Sequence, residues 1–416
     1  MEKEFLVYKN GELVFLGDKA EYKLSQLTKN YQGPVFFYNL DFVRARVQQM
    51  QSELKDVRLF YALKANSNPD VLKVFKDHNV GIDVVSGGEI QHAIKNGFTY
   101  QQLVYSGVGK TRKELELAIR NDIHQINVES IPELQRIGEM AKKIGKKANV
   151  VFRINPDISI QSHPYIATGL KDNKFGIDTG QLSDVIATAR LHTSSVSVRG
   201  ISLHLGSQML EFSSLKDSLA KLKPLFLKLR SEFPECHRFD FGGGLGIHYE
   251  KQDLNSEHNL LKQYAETVFS ELSQLKQDIP GLEIQSEPGR WLVGHCGVLI
   301  SQVQYVKKTP HKEFIVLDSG MNHLIRPSLY EAYHSIHSLK QSDVNKKYDV
   351  VGPICESADF FGKDRELPEV KQDDFIVVRD CGAYAATMSS DYNLQDRALE
   401  ISSAHSWLSF IDIGTT

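Results

Sequence analysis

The sequence predicts an α/β protein, a closed (β/α)8 barrel of the TIM type followed by a mainly β domain. Eight short apolar, β-rich runs recur over about 250 residues, mostly with amphipathic helical stretches between them, which is typical of a parallel sheet with right-handed crossovers. After residue 296 β-like runs follow one another through Gly, Pro and Asp turns instead. The count of eight favours a closed barrel, and a doubly wound open sheet is the alternative.

The domain boundaries follow from these changes of pattern. Residues 1–33 are polar and turn-rich, and we expect an N-terminal extension that packs with the β domain. The barrel is predicted over 34–296 and the mainly β domain over 297–416. This division leaves one large domain and one smaller one, as the chain length favours.

The elements can be placed in chain order. A short strand at 35–38, which is not one of the eight, precedes a helix for which Asp41 is the predicted N-cap. The helices with the clearest periodicity are predicted at 112–121 and 131–144. The barrel strands are predicted at 57–63, 81–85, 102–106, 125–128, 148–154, 198–205, 238–241 and 282–285, and the β-domain strands at 298–305, 314–317, 349–351 and 375–378.

Composition and charge narrow the classes of function. The 416 residues are 41% hydrophobic and 24% charged, with a formal net charge of -3, so neither nucleic acid nor an anionic membrane is an expected partner. No apolar run reaches the roughly 18 residues of a membrane span, and the charged start leads into no signal segment, so we expect a cytoplasmic protein. Four cysteines without CxxC spacing predict free thiols and no metal site.

Lys64 is the first residue whose position predicts chemistry. It follows the apolar run Leu59-Phe60-Tyr61-Ala62-Leu63 and precedes small and polar residues. An amine fixed at a strand end and partly shielded by apolar neighbours has a lowered pKa and can attack a carbonyl to form a Schiff base. A solvated surface charge is the alternative, since lysines are rarely buried.

Several residues that can take part in chemistry, or that let the backbone approach a ligand, lie at the C-terminal ends of the predicted barrel strands. A parallel barrel builds its active site on that one face, so residues far apart in sequence converge there. These residues are Lys64, Ser86, His204, Gly242, Gly243, Gly244 and Glu287.

The glycine run after the seventh strand fits a phosphate cradle. Residues without Cβ expose their N–H groups and let the backbone approach an anion. The run matches neither a Walker loop nor the GxGxxG fingerprint, and a plain tight turn is the alternative. Nearby, His204 and Ser207 supply a flat ring and a hydroxyl donor, although a satisfied core histidine is the alternative for His204.

Glu287 is followed by Pro288, Gly289 and Arg290 at the end of the eighth strand. A salt bridge between Glu287 and Arg290 would explain both residues without any function. The functional interpretation is that Glu287 pairs with a protonated heteroaromatic nitrogen while Arg290 faces an anion.

Two groups of motifs occur in order along the chain. The first group lies in the predicted barrel: Phe60-Tyr61-Ala62-Leu63-Lys64-Ala65-Asn66, Ser86-Gly87-Gly88-Glu89, His163-Pro164-Tyr165-Ile166, Lys174-Phe175-Gly176, His204-Leu205-Gly206-Ser207-Gln208, the glycine run and Glu287-Pro288-Gly289-Arg290. The second group lies in the predicted β domain: Asp318-Ser319-Gly320-Met321-Asn322, Arg326-Pro327-Ser328-Leu329-Tyr330, Gly352-Pro353-Ile354-Cys355-Glu356-Ser357 and Gly382-Ala383-Tyr384. From about residue 34 to 393 these motifs together resemble pyridoxal-phosphate enzymes with an alanine-racemase-type barrel, and within them the diaminopimelate decarboxylases.

The resemblance implies a role for each matching residue. Lys64 would carry pyridoxal 5′-phosphate on its amine, His204 would stack on the ring, and Glu287 would keep the ring nitrogen protonated. The remaining cofactor contacts would be Ser207, Gly243, Gly244, Gly289, Arg290 and Tyr384. The substrate contacts would be Arg290, Arg326, Tyr330, Glu356 and Tyr384.

Cys355 would donate the proton that completes the reaction, and the resemblance implies that Cys355 and Glu356 come from a second subunit of a homodimer. Read without the family, Cys355 is a small buried hydrophobe and Arg326 a solvated surface charge. After Asn393 the chain departs from the family pattern, because an arginine-rich segment is replaced by an atypical tail.

The implied reaction is decarboxylation of meso-2,6-diaminopimelate to L-lysine, the last step of lysine biosynthesis. The alternatives are a decarboxylase of the same fold acting on ornithine, arginine or carboxynorspermidine, an amino-acid racemase, and a non-catalytic regulatory homologue. A distal pocket without the arginine cluster would favour the other decarboxylases. Retention of both Lys64 and Cys355 argues against a non-catalytic homologue.

Overall fold

The computed structural model begins with a small antiparallel sheet that lies against the β domain. It describes residues 4–17, 20–158, 173–250, 253–341 and 344–405. The sheet has the order β1 (Leu6–Lys9), β2 (Glu12–Leu16) and β3 (Glu21–Lys23). The N–H of Leu13 donates to the Leu339 carbonyl at 3.2 Å, and the Tyr8 hydroxyl donates to the Ser338 carbonyl at 2.6 Å.

Strand β4 (Val35–Tyr38) lies within the segment 34–296 but is not part of the barrel sheet. It is buried along its whole length and pairs with two strands of the second sheet described below. The chain therefore crosses from the β domain to the barrel after Tyr38.

Eight parallel strands close into a barrel. The strands of this sheet are β5 (Val57–Ala62), β6 (Gly81–Val84), β7 (Leu103–Tyr105), β8 (Gln125–Val128), β9 (Ala148–Asn155), β10 (Ile177–Asp178), β11 (Val196–Ser202), β12 (Arg238–Asp240) and β13 (Glu283–Ser286). The barrel closes because β13 pairs with β5 and β8 pairs with β9. The ninth strand of the sheet, β10, pairs with the end of β9 and is not one of the eight barrel strands. Each predicted run overlaps one barrel strand, so the closed barrel is confirmed and the open sheet is excluded.

Amphipathic helices cover the outside of the barrel, which explains why its strands are apolar on both faces. The helices are α1 (Leu40–Glu53), α2 (Pro69–Asp77), α3 (Gly87–Lys95), α4 (Arg112–Arg120), α5 (Ile131–Ile144), α6 (Leu182–Leu191), α7 (Ser213–Glu232), α8 (Leu254–Asp278) and α9 (Arg290–Val293). The predicted helices at 112–121 and 131–144 are confirmed as α4 and α5.

The start of α1 corrects the prediction that Asp41 caps it. The side chain of Asn39 accepts hydrogen bonds from the N–H groups of Asp41 and Phe42 at 3.1 and 3.3 Å. Asp41 therefore lies in the first helical turn, where its charge suits the helix dipole.

The second domain is mainly β, as predicted. Its elements are β14 (Gly297–Lys308), β15 (Glu313–Leu317), α10 (Arg326–Tyr330), β16 (Ile336–Ser338), β17 (Asn345–Val351), β18 (Phe360–Pro368), β19 (Phe375–Val378) and β20 (Leu399–Ser402). The sheet runs in the order β16-β19-β14-β15-β17-β18, with β4 on β14 and β20 on β4. Strands β16, β18 and β20 were not predicted, because they are very short, rich in charge or largely exposed at an edge.

The apolar core is continuous from the barrel into the β domain. Phe152 of the barrel, Trp291 at the junction and Val377 of the β domain belong to the same buried cluster. Among the residues that the structure describes, no helix is long and apolar enough to cross a membrane.

Candidate active site

Lys64 and Asp83 meet at the C-terminal ends of neighbouring barrel strands. Lys64 lies in a short 3-10 turn directly after β5, and its Nζ is 3.1 Å from Oδ2 of Asp83 in β6. The turn is held from the β domain, because the Asn66 amide donates to the Gly382 carbonyl at 2.9 Å and the Tyr384 N–H donates to the Ala65 carbonyl at 2.8 Å. The β domain therefore fixes the segment that carries the lysine.

The expected lowering of the Lys64 pKa was wrong for the protein alone. Burial acts to lower the pKa of the ammonium group, but the charges of Asp83, Tyr384 and Glu287 outweigh burial and raise it. The apolar strand shields the lysine as predicted, but the sequence argument left out the carboxylate on the adjacent strand.

Glu287 lies in a group of buried acids. Its Oε1 accepts a hydrogen bond from the Asn127 amide at 2.9 Å. Burial, with the charges of Asp240 and Asp83, raises the pKa of Glu287 well above its usual range. Burial also raises the pKa of Asp240 to about 7, although this carboxylate accepts the Gly242 N–H at 2.8 Å. A site with this excess of acid stabilises a cationic group placed within it.

Arg290 does not neutralise Glu287, so the simple salt-bridge alternative is excluded. The Arg290 guanidinium donates to the Ser207 hydroxyl from Nε at 3.2 Å and from Nη2 at 3.0 Å. Its Nη1 donates to the Tyr249 hydroxyl at 2.6 Å, and its Cζ lies 4.8 Å from the centroid of the Tyr384 ring.

His204 follows β11 and faces the glycine run. The Gly243 N–H donates to His204 Nδ1 at 3.4 Å. Burial, followed by the charges of Arg153 and Lys64, holds the pKa of His204 well below its usual range. A neutral ring results, which can stack on a flat group without adding positive charge.

The glycine run and Gly289 leave no room for side chains. Gly242 and Gly244 have φ values of +71° and +98°, which favour glycine. A Cβ on Gly243 would collide with the Glu287 carbonyl oxygen, and one on Gly244 would lie 2.6 Å from the Gly206 carbonyl oxygen. A Cβ on Gly289 would lie 3.1 Å from Ala62 Cβ. Glycine is therefore required wherever these loops approach each other.

Arg326 lies beside Arg290, although it comes from α10 of the β domain. Its Nη1 donates to His334 Nε2 at 2.8 Å, and its Cζ lies 4.5 Å from the centroid of the Tyr249 ring. The arginine is buried, so it is not the solvated surface charge of the alternative interpretation. Tyr330 ends the same short helix, and its charge acts to raise the pKa of Arg290.

Cys355 and Glu356 lie on an exposed loop of the same chain, and their hydrogen bonds go to residues outside this cluster. The Cys355 N–H donates to the Asn393 side chain at 3.1 Å, and Glu356 accepts the Tyr392 hydroxyl at 2.6 Å. Cys355 is exposed rather than the small buried hydrophobe of the alternative interpretation, whereas Cys236, Cys296 and Cys381 are buried.

Several residues of the cluster were not predicted as site residues. The signal for Asp83 and Asn127 was a polar side chain inside an apolar barrel strand, and for Asp240 an acid two residues before the glycine run. Tyr249 and His334 gave no comparable signal. Ser86 is a helix cap, since its hydroxyl accepts the Glu89 N–H at 3.1 Å. The motif at 163–166 lies outside the described residues.

Known proteins are similar to this chain in both sequence and fold. Residues 40–294 match the family model described as the pyridoxal binding domain of pyridoxal-dependent decarboxylases. A diaminopimelate decarboxylase of Aquifex aeolicus is 38% identical over 402 residues, which cover 95% of this chain and 92% of the relative. Another, from Bacteroides thetaiotaomicron, is 40% identical over 371 residues, which cover 88% of this chain and 95% of the relative.

The chain belongs to the diaminopimelate decarboxylase family.

Solved structures of this diaminopimelate decarboxylase family have the same fold. The Helicobacter pylori enzyme complexed with L-lysine superposes with a TM-score of 0.84 at 36% identity, covering 91% of this chain and 94% of its own. The enzyme from M. jannaschii in co-complex with L-lysine superposes with a TM-score of 0.87 at 32% identity. The match covers 96% of this chain and 93% of the M. jannaschii chain. The predicted fold, family and enzyme class are confirmed, and the chain is a pyridoxal-phosphate-dependent carboxy-lyase.

The residues present fit the cofactor of the diaminopimelate decarboxylase family. Asp83 Oδ1 is buried without a hydrogen-bond partner beside the only lysine of the described cluster, Lys64. The side-chain-free glycine run and the buried Arg290 can receive a phosphate, and the buried acids can receive a protonated ring nitrogen. Among the described residues, no group of three or more His, Cys, Asp or Glu side chains could hold a metal ion.

Proposed function

We propose that this chain removes CO2 from meso-2,6-diaminopimelate and releases L-lysine, as the last step of lysine biosynthesis. The observation that carries the proposal is the pair of buried guanidiniums of Arg290 and Arg326, both of which contact Tyr249. Among the described residues neither arginine forms an ion pair, so together they offer an unneutralised site for a carboxylate. Diaminopimelate carries such a group at the end that does not react.

The cofactor would be held at three points by the chain. Lys64 would bind its aldehyde carbon, Glu287 would pair with its ring nitrogen, and His204 would lie on the face of the ring. The phosphate would be surrounded by Ser207, Gly243, Gly244, Gly289, Arg290 and Tyr384. When bound, pyridoxal phosphate supplies an electron sink for the electrons left by the departing CO2.

The acid group around Glu287 maintains the charge that this chemistry needs. A carboxyl group whose pKa is raised by burial and by the charges of Asp240 and Asp83 takes up a cation readily, because the cation relieves the repulsion among the acids. Glu287 would keep a proton on the ring nitrogen by this means. The neutral His204 ring adds no charge that would compete with that proton.

Selectivity would come from the distal end of the substrate. Arg290, Arg326, Tyr330 and Tyr384 would hold the distal carboxylate, and Glu356 would pair with the distal ammonium group. A substrate without the distal carboxylate, such as ornithine, leaves two buried arginines unpaired and is rejected for that reason.

Cys355 would donate the proton that replaces CO2, and it would do so from a second subunit of a homodimer. Within one chain Cys355 and Glu356 are exposed on their loop, where a partner molecule can receive them. The cytoplasm is the proposed location, because an exposed free thiol is maintained in a reducing compartment.

The test of the function is CO2 release by the purified holoenzyme from meso-, LL- and DD-diaminopimelate, ornithine and arginine. We expect turnover of meso-diaminopimelate with stoichiometric L-lysine, and little or none of ornithine. Faster release from ornithine than from diaminopimelate would overturn the proposal. So would conversion of the substrate to its stereoisomer without CO2, or a purified protein that binds no cofactor.

A further inference from the structure

Tyr249 stands between the two arginines to which the proposed function assigns the distal carboxylate. It lies in the loop that follows the glycine run and is buried. Its hydroxyl accepts a hydrogen bond from Arg290 Nη1 at 2.6 Å, and its ring face lies 4.5 Å from Arg326 Cζ. One side chain therefore contacts a guanidinium from the barrel and another from the β domain.

The backbone of Tyr249 is fixed independently of these two contacts. Arg379 Nη2 donates to the Tyr249 carbonyl at 2.8 Å, and Arg379 Nε donates to Asp380 Oδ2 at 2.7 Å. Asp380 in turn lies 2.6 Å from His295 Nδ1. A buried charge network of the β domain thus holds the loop, so the tyrosine ring is a rigid support for the arginines.

The arginines have limited support without Tyr249. Arg290 has Ser207 as its other side-chain hydrogen-bond acceptor, and Arg326 has His334. His334 also lies edge-on to the Tyr249 ring, with ring centroids 5.3 Å apart. Arg326 Nε is buried without a hydrogen-bond partner. Tyr249 is therefore a contact that the two cations share, and neither cation has a carboxylate partner among the described residues.

A structural explanation is the simplest alternative, because buried tyrosine hydroxyls generally find a partner. It does not account for the identity of the partners. A core tyrosine satisfied by a backbone carbonyl, such as Tyr61 with Asn66, needs no charged group. Tyr249 instead contacts two buried cations that lack an ion pair among the described residues, with its hydroxyl on Arg290 and its ring on Arg326.

We infer that Tyr249 is a specificity-determining positioning residue, which holds Arg290 and Arg326 in the arrangement that recognises a distal carboxylate. The inference rests on the proposed function, because it assigns the same arginines to the same end of the substrate. Pre-ordered guanidiniums save the conformational entropy that a carboxylate would otherwise lose in fixing them. The contribution is made equally in the ground and transition states, since this end of the substrate does not react.

The test compares Tyr249→Phe with wild type as holoenzymes. The variant keeps the ring under Arg326 but removes the acceptor for Arg290. We expect KM for meso-diaminopimelate to rise roughly tenfold, the effect of one hydrogen bond to a charged group, with kcat nearly unchanged. The inhibition constant of L-lysine, which keeps the distal carboxylate, should rise by a similar factor, whereas that of cadaverine, which lacks this carboxylate, should stay within the error of the wild-type value.

A readout independent of activity uses pimelate, a dicarboxylate without amines. Pimelate should raise the Tm of the wild-type holoenzyme and raise that of Tyr249→Phe less. The matched control is Tyr38→Phe, which removes a buried hydroxyl that donates to Glu400 at 2.8 Å in the β domain. The control should show wild-type KM and the wild-type response to pimelate.

The outcomes separate the inference from the proposed function. If wild type releases no CO2 from meso-diaminopimelate, the proposed function has failed. If wild type is active but Tyr249→Phe matches Tyr38→Phe in KM and in the pimelate response, the positioning role is wrong. A fall in kcat alone, or an equal rise in the cadaverine constant, would also overturn it by indicating general damage to the site.

Discussion

Lys64 Nζ lies 3.1 Å from Asp83 Oδ2 across two neighbouring barrel strands. The register brings them together, because Ala62 at the end of β5 is opposite Asp83 in β6. The Lys64 side chain is 38% exposed and that of Asp83 only 1%. The carboxylate is therefore fixed in the wall, while the amine reaches into open space where a carbonyl compound can meet it.

Asp83→Asn should lower the pKa of Lys64 and so change how the cofactor-free protein takes up pyridoxal phosphate. Only the neutral amine attacks an aldehyde, and Asp83 raises the pKa of that amine. At neutral pH the variant should take up the cofactor faster, with the pH profile of the rate shifted to lower pH. Visible absorbance during reconstitution measures this rate.

The control for Asp83 is Asp77→Asn, which removes the acid of an exposed pair with Lys73. The pH profile of its rate of pyridoxal-phosphate uptake should match that of the wild-type protein. An Asp83→Asn profile shifted to higher pH would contradict the assignment of the raised pKa to this carboxylate.

Lys64→Ala should abolish both activity and the visible absorbance of the bound cofactor, because no other lysine lies in the described cluster around Asp83. Absorbance spectra of the purified variant with added pyridoxal phosphate measure the effect. Lys73→Ala, which removes an amine that is 71% exposed, should retain the wild-type spectrum. A wild-type spectrum in Lys64→Ala would remove this lysine from the site.

Arg326→Gln should lower kcat/KM for meso-diaminopimelate by roughly a hundredfold, or about 3 kcal/mol, because a desolvated distal carboxylate loses a charged partner. The rate with ornithine, which has no such group, should not fall, so the preference between the two substrates narrows. Steady-state kinetics with both substrates measure this. Arg365→Gln serves as control, since Arg365 also stacks on a tyrosine of the β domain, with its Cζ 4.0 Å from the Tyr333 ring.

The barrel and the convergence of its strand ends could be predicted because both depend on local pattern. Eight apolar runs specify eight strands, and parallel closure then places Lys64, His204 and Glu287 on one face. The protonation of these groups could not be predicted in the same way. It depends on neighbours such as Asp83 and Asp240, whose distance from Lys64 and Glu287 is set by register and closure rather than by sequence separation.

The distal site was harder to predict than the cofactor site. Arg326 was assigned through the family motif, but its burial and its contact with Tyr249 arise from packing between the two domains. The strand at 35–38 shows the same limit. Its apolar run predicts a strand correctly, but only the long-range pairing with β14 determines which sheet it joins.

His295 should make the stability of the domain junction depend on pH. Burial acts to lower its pKa, but Asp380 and Glu257 outweigh burial and raise it. A histidine whose folded-state pKa is raised contributes stability that is complete below about pH 6.5 and is lost as pH rises through the folded-state value. Two arginines near these acids remain charged over this pH range. Arg379 lies 2.7 Å from Asp380, and Arg46 lies 3.9 Å from Glu257.

We therefore expect the wild-type Tm to fall by about 2–4 °C as the pH rises from neutral through the His295 pKa. His295→Gln should have a lower Tm at neutral pH and a flatter profile above it. His258→Gln, which loses a partly buried contact with Glu53, should keep the wild-type slope. An equally steep profile in His295→Gln would assign the pH dependence to other groups.

Mixing two inactive variants should restore activity if each site takes Lys64 from one chain and Cys355 from the other. Cys355→Ala should bind the cofactor normally but turn over slowly, because the proton donor is missing while the barrel is intact. Lys64→Ala should keep the loop that carries Cys355. A mixed dimer would then contain one site with both residues and one site with neither.

Random pairing predicts recovery of about a quarter of the wild-type activity, because half of the dimers are mixed and each has one intact site. The two variants should be unfolded and refolded together, with cofactor, so that chains exchange fully, and CO2 release should be compared with each variant refolded alone. If mass spectrometry detects mixed dimers but activity stays at the sum of the separate variants, Cys355 does not act across the subunit boundary. The exposed loop would then have to reach Lys64 of its own chain by a rearrangement of the β domain.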